Sequence, residues 1–216
     1  MNEPNKVLVV TGAFACFVAC VGDSLITFIL GNKYHGYSQI HDVMSLLGSS
    51  KSPVSVEFST WWIILGLLII VFASAFRIAF SPAGKFLKIA FWLLVLYGIG
   101  DCMGSGLFKA DKINGVMTSS YFVHNIFGGI GICALLFFPL VVERISPLNL
   151  SNIFVIFSRV VFGTGVIFLI LYSFRFLGTG NNAIERSAGL WQRLFVFDYY
   201  IYFLVIAFLM VKKVLD

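Results

Sequence analysis

The sequence predicts an all-α polytopic membrane protein, a bundle of six transmembrane helices with a short helical outer loop. Three observations predict it. Apolar windows of about 20 residues, the length that crosses a hydrocarbon core as helix, occur near 7–31, 60–80, 86–108, 121–142, 153–177 and 190–211. Charged residues make up 12% of the chain, about half the roughly 25% usual in soluble domains, and the mean hydropathy is +0.96. The links between windows are too short to house a soluble domain, so residues 1–216 form one membrane unit.

The first span follows MNEPNK, which carries a single lysine. Its apolar run exceeds the about 7–15 residues of a signal-peptide core, so it is expected to stay in the mature chain. Loop 32–59 is the longest link, and loops beyond about 15 residues often serve as lids or binding loops. Within it, SQIHDVMSLLGSS places Ile40, Val43, Met44 and Leu47 at amphipathic spacing, with Ser38 or Gln39 as a start and Gly48 as a stop. This pattern predicts a short helix lying over the mouth of the bundle, with His41, Asp42 and Ser45 on its polar side. Trp61 and Trp62 then open span two as an interfacial anchor.

Span three ends in YGIGDCMGSG, where Gly100 and Gly104 suit close helix packing and Asp101 is a costly intramembrane carboxylate. Spans four to six follow the links KADKINGVMTSS, ERISPLNLS and GTGNNAIERSAG. Gly128, Gly129, Gly131, Gly163 and Gly165 read as packing residues, and so do the four cysteines, all inside spans. Basic residues hug the span ends at SPAGKFLK and LMVKKVLD. By the positive-inside rule both termini are cytoplasmic and loop 32–59 lies outside, in a multi-pass cell-membrane protein. The pI near 9.1 therefore reflects membrane anchoring, and no nucleic-acid partner is expected.

The embedded polar residues share one level. At about 1.5 Å rise per residue, Asp101 lies roughly 10 Å and Asp23 roughly 12 Å below the outer ends of their spans. His124 and Asn125 open span four, Arg175 closes span five, Gln192 and Arg193 open span six, and Asp198 lies two turns deeper. Lipid-facing charges at such depth are rare, whereas a wet cavity or mutual pairing accommodates them. The expected ligand-binding residues are therefore Asp23, His41, Ser45, Asp101, His124, Asn125, Arg175, Gln192, Arg193 and Asp198. They would form an outer-facing pocket for a lipid headgroup or small polar molecule.

The residues leave other uses open. An intramembrane hydrolase or transferase could draw on the Asp/His cluster, with Ser24 or Ser45 as nucleophile, although nothing like G-x-S-x-G frames either serine. No metal is expected, because three histidines occur without H-x-x-x-H or H-E-x-x-H spacing. No cofactor is expected either, since the glycine clusters lie inside spans. A proton-coupled transporter would need polar residues in the cytoplasmic half as well. A membrane interaction subunit, with a protein partner or a second copy, would use the same polar residues only to hold helices together. Membrane lipids are the surrounding partner in every case.

Four stretches, MSLLGSSKSP, SGLFKAD, VHNIFGGIG and GLWQRLF, resemble the bacterial six-span family numbered 998 among the domains of unknown function. The resemblance implies a six-span fold in a bacterial inner membrane and supplies no reaction. It places Ser45, Gly48, Asp111, His124, Gln192 and Arg193 on the outer side, and the chain departs from the family pattern at Lys109, where proline is usual. The S-x-x-G-x-x-x-x-P pattern of the first loop is also distantly similar to the DRAM-like six-span proteins linked to lipid homeostasis.

Overall fold

The computed structural model describes residues 1–82, 84–145, 152–178 and 182–216. The links predicted around SPAG, ERISPLNLS and GTGNNAIERSAG therefore lie partly outside the described residues. Six helices are long and apolar enough to cross a membrane: α1 (Glu3–Lys33), α2 (Ser55–Ala79), α3 (Gly84–Leu107), α4 (Ser119–Val142), α5 (Asn152–Phe176) and α6 (Ala188–Leu215). Several begin earlier than their apolar windows because polar caps extend them. Asn2 accepts the Asn5 N–H at 3.1 Å to start α1, and Thr118 accepts the Tyr121 N–H at 3.1 Å to start α4. Each satisfies an N–H that the helix itself leaves orphaned. At α2 the acidic Glu57 sits in the first turn, where the helix dipole favours it.

The helices form a closed ring in chain order, each packed on the next and α6 returning to α1, with α2 also touching α6 across the centre. The seam between α4 and α5 is the loosest of the ring, and α5 is the least buried span. Both termini lie at one end, here the terminal end, and loops 34–54 and 108–118 cover the other, the loop end. The core of the terminal half is aromatic. Phe72 and Phe138 both pack on Phe203, with ring centroids 5.7 and 5.5 Å apart, and Phe76 meets Phe138 at 6.0 Å. Tilted and edge-on contacts of this kind suit the aromatic quadrupole.

The α3–α4 contact sets the geometry of the loop half. Helix α3 changes to π-helical winding over Gly98–Gly104, the segment that carries Asp101. A Cβ on Gly131 would collide with the Asp101 backbone nitrogen, and one on Gly100 would stand 2.7 Å from the Phe127 carbonyl. Only glycines allow α4 to approach this segment so closely.

The first loop differs from the expected amphipathic α-helix. Residues 38–42 form turns, and the only helical part is a 3-10 helix, Met44–Gly48. Met44 and Leu47 are buried as the apolar spacing requires, but Ile40 is half exposed. Backbone hydrogen bonds explain the change. The Ile40 carbonyl accepts the Leu190 N–H at 2.8 Å, the Met44 N–H donates to Gln192 Oε1 at 2.7 Å, and the Asp42 carbonyl accepts from Arg193 at 3.0 Å. Groups that an α-helix would use internally are committed to α6. The second loop contains a small hairpin, Lys112–Ile113 paired with Val116–Met117. Its turn is Asn114–Gly115, both at positive φ, the pair favoured in two-residue hairpins.

Candidate functional site: a polar cavity at the loop end

A cavity of about 370 Å³ opens among the loop-end halves of α2 to α6, within the range of small-molecule sites. The π-helical segment supplies Asp101, and Ser105 follows it one turn on. Helix α4 supplies Tyr121, His124, Asn125 and the bare backbone of Gly128, where an added Cβ would stand 3.5 Å from both Asp101 Oδ1 and Ser105 Oγ. The end of α5 contributes Tyr172 and Arg175, α6 contributes Gln192, and the 3-10 helix closes the top with Ser45.

Most of these polar side chains have no hydrogen-bond partner among the described residues. Among the described residues, the Asp101 carboxylate accepts no hydrogen bond, and neither Asn125 nor Arg175 forms a side-chain hydrogen bond or ion pair. The Arg175 guanidinium instead stacks over Tyr172 at 3.9 Å and Phe176 at 4.5 Å, and its buried Nε has no acceptor. Trp62, on the cavity wall, also holds a buried indole N–H outside hydrogen-bond geometry. His124 is oriented: its ring Nδ1 lies 2.9 Å from the Phe108 carbonyl, which can only accept. Nδ1 is therefore the donor, and a neutral ring carries its lone pair on Nε2.

The other expected residues are elsewhere. Asp23 is fully buried between α1, α2 and α6, where Trp61 Nε1 and the Tyr200 hydroxyl each donate to it at 2.8 Å, and Thr27 lies at 3.5 Å. It borders a separate small cavity of about 160 Å³, shared with Gln39, Met44 and Arg193. Arg193 does not pair with either carboxylate. It donates to the Asp42 and Gly189 carbonyls and to the Tyr37 hydroxyl, latching the first loop onto α6. Burial raises the Tyr37 hydroxyl above its usual range, an effect the neighbouring Arg193 charge partly offsets. Exposed His41 donates from Nδ1 to the Arg186 carbonyl at 2.8 Å, and Asp198 accepts from Thr164 at 2.7 Å in the α5–α6 seam. Ser24, weighed as a nucleophile, donates to the Cys20 carbonyl and borders the Asp23 cavity.

Ser45, Ala110 and Tyr121 also line a wider vestibule of about 670 Å³ bordered by Lys51, Asp111 and Lys112. The loops around it are tied together. Asp111 accepts the Ser50 N–H at 2.8 Å and the Ser50 hydroxyl at 2.6 Å. Lys109 donates to Ser55 and Ser59, and partial burial lowers its ammonium pKa. Among the described residues, no three His, Cys, Asp or Glu side chains are grouped to hold a metal ion.

Sequence reasoning missed Trp61 and Tyr200 as partners of Asp23, and Tyr121, Tyr172 and Ser105 as cavity walls. Their positions depend on helix rotation, and aromatic runs such as FVFDYYIYF look the same whether they face lipid or a carboxylate.

The model of a protein family of unknown function, DUF998, matches residues 9–209. The chain belongs to this family. The DUF998 match covers the second to fifth spans whole, most of the first and last, and both loops that roof the cavity. No curated protein and no solved structure matches the chain. This DUF998 chain is thus a multi-pass membrane protein whose family carries no assigned reaction.

Proposed function

We propose that the loop-end cavity binds a lipid headgroup or small polar molecule, with Asp101, His124, Asn125, Arg175 and Gln192 as the contacting side chains and Ser45 in the roof. The observation that carries this reading is the unmet hydrogen-bonding capacity of the cavity wall. Buried polar groups ordinarily find partners, and a carboxylate and a guanidinium with no hydrogen-bond partner among the described residues of a membrane protein call for water or a ligand. Asp23, His41, Arg193 and Asp198 have partners already and shape the fold around the cavity. The protein sits in the cell membrane with both termini cytoplasmic, so the cavity faces outward.

Thermal unfolding against a panel of headgroup compounds tests the binding reading. A ligand at 100 times its Kd adds about 2.7 kcal/mol to folding, a clear rise in melting temperature. The rise should appear in wild type and vanish in Asp101→Asn and His124→Ala. A compound that stabilises all three proteins equally binds elsewhere. Orientation is tested in a Cys133→Ser background by labelling Lys51→Cys or Leu215→Cys in intact cells with an impermeant thiol reagent. Labelling at 51 and protection at 215 are expected, and the reverse pattern inverts the topology.

A second reading, hydrolase or transferase chemistry, is favoured by the His124 tautomer. A ring that donates through Nδ1 presents Nε2 as a base, and Ser45 and Ser105 line the same cavity. Formation of product from a bound compound by wild type would distinguish catalysis from binding alone, and recovery of the compound unchanged would leave the cavity a binding site.

A further inference from the structure

The polar cavity shares part of its α5 wall with a second hollow. Leu169 and Ser173 of α5 line it, and they also line an apolar groove of about 440 Å³ on the outside of the α4–α5 seam. The groove is otherwise formed by Leu136, Val166, Ile170, Phe174 and Leu177. Arg175 stands near the junction, stacked on Tyr172 and Phe176, with a buried Nε that has no acceptor. From the loop end the same cavity shares Ser45, Ala110 and Tyr121 with the aqueous vestibule. Water-facing, polar and lipid-facing compartments are therefore in series.

We infer that this site takes an anionic membrane amphiphile, which enters sideways between α4 and α5, lays an acyl chain along the Leu136–Leu177 groove and places a phosphate or carboxylate against Arg175. The inference rests on the cavity being a binding site and names the class of molecule it binds. Three features select this occupant. The seam it crosses is the loosest in the ring, so a lipid can part it without opening the tighter contacts. An arginine with no carboxylate partner among the described residues complements an oxyanion, whose charge-assisted hydrogen bonds the fork-shaped guanidinium is suited to make. The groove and the polar cavity share Leu169 and Ser173, so a single molecule with one apolar and one charged end can reach both.

The test uses three probes on the purified full chain in detergent, with bound molecules counted by native mass spectrometry: 1-oleoylglycerol 3-phosphate, monooleoylglycerol and glycerol 3-phosphate. The first carries chain and phosphate, and each of the others carries one of the two. The first should bind at least about tenfold more tightly than either of the others. Arg175→Ala should erase the preference for the phosphate-bearing lipid over monooleoylglycerol. Ile170 is exposed to lipid, so Ile170→Trp fills the groove without burdening the core, and Val166→Trp repeats the change on the adjoining turn. Both should weaken binding of the two lipids and leave glycerol 3-phosphate unchanged.

Equal binding of glycerol 3-phosphate and its lipid, unaffected by either tryptophan, would overturn the sideways groove while leaving the polar cavity a binding site. Equal binding of the two lipids in wild type would overturn the role of Arg175. Binding of none of the probes would overturn the amphiphile, with the cavity itself still decided by the thermal test on Asp101→Asn and His124→Ala.

Discussion

Asp23 and Asp101 are two carboxylates at similar depth in one bundle, within electrostatic reach of each other, and their surroundings are opposite. Asp23 is wedged between three helices and receives an indole N–H and a phenol hydroxyl at 2.8 Å each. Asp101 projects from a π-helical turn into a cavity and accepts no hydrogen bond from the described residues. Intramembrane charge is costly enough that either needs compensation. At Asp23 the fold supplies it, so the group works as a clasp between α1, α2 and α6. At Asp101 the fold leaves the compensation to whatever enters the cavity. Depth alone does not separate a structural carboxylate from a binding one, whereas the inventory of donors around each does.

The largest effect expected from this contrast follows Asp23→Ala. The change strands the Trp61 and Tyr200 donors in the interior, and each unsatisfied buried donor costs about 1–3 kcal/mol. A loss of about 3 kcal/mol should appear as a lowered midpoint in unfolding by denaturant in mixed micelles. An unchanged midpoint would break the assignment of Asp23 as a clasp. Next is Gly131→Ala, which pushes α4 off the backbone of the π-helical turn. Overpacking of this kind costs about 1–3 kcal/mol, and because it shifts Asp101 itself it should impair ligand binding too, coupling two properties that Asp23→Ala leaves separate.

A smaller effect is expected from Arg193→Ala. It removes the latch to the Asp42 carbonyl and Tyr37, and should lower the local opening energy of loop 40–48 by about 1–2 kcal/mol. Hydrogen exchange at Met44 to Leu47 reads it directly. Faster exchange there with an unchanged global midpoint would sharpen the division between a roof over the Asp101 cavity and a clasp at Asp23.

The contrast also marks what the sequence makes legible. Helix rise fixes depth, so the loop-end level of Asp101, His124, Asn125, Arg175 and Gln192 follows from counting residues to the end of each apolar run. The expectation of close packing at glycines holds at Gly100, Gly104, Gly131 and Gly165, whereas Gly129 and Gly163 have nothing within 4 Å of where a Cβ would stand. Which carboxylate has partners does not follow, because it depends on the rotation of each helix and on the ring order that sets α6 beside α1. Tyr200 lies one residue from Tyr199, whose hydroxyl reaches the Leu136 carbonyl at 3.1 Å on a different neighbour, and nothing in FVFDYYIYF tells the two apart. The first loop shows a similar limit. Its apolar spacing correctly buries Met44 and Leu47, while its conformation is decided by Gln192, Leu190 and Arg193, about 150 positions away in sequence and invisible to a local window.

The most direct test of the contrast is an unbiased mass-spectrometric inventory of the molecules retained by wild-type, Asp23→Asn and Asp101→Asn proteins, compared at equal amounts of folded chain. Asparagine keeps the size of the side chain and can still accept a hydrogen bond, so both variants can fold. The account predicts that wild type and Asp23→Asn retain the same bound molecule, that Asp101→Asn loses it, and that Asp101→Asn unfolds within about 0.5 kcal/mol of the ligand-free wild type. Retention by Asp101→Asn together with loss in Asp23→Asn would exchange the roles of the two carboxylates and contradict the account.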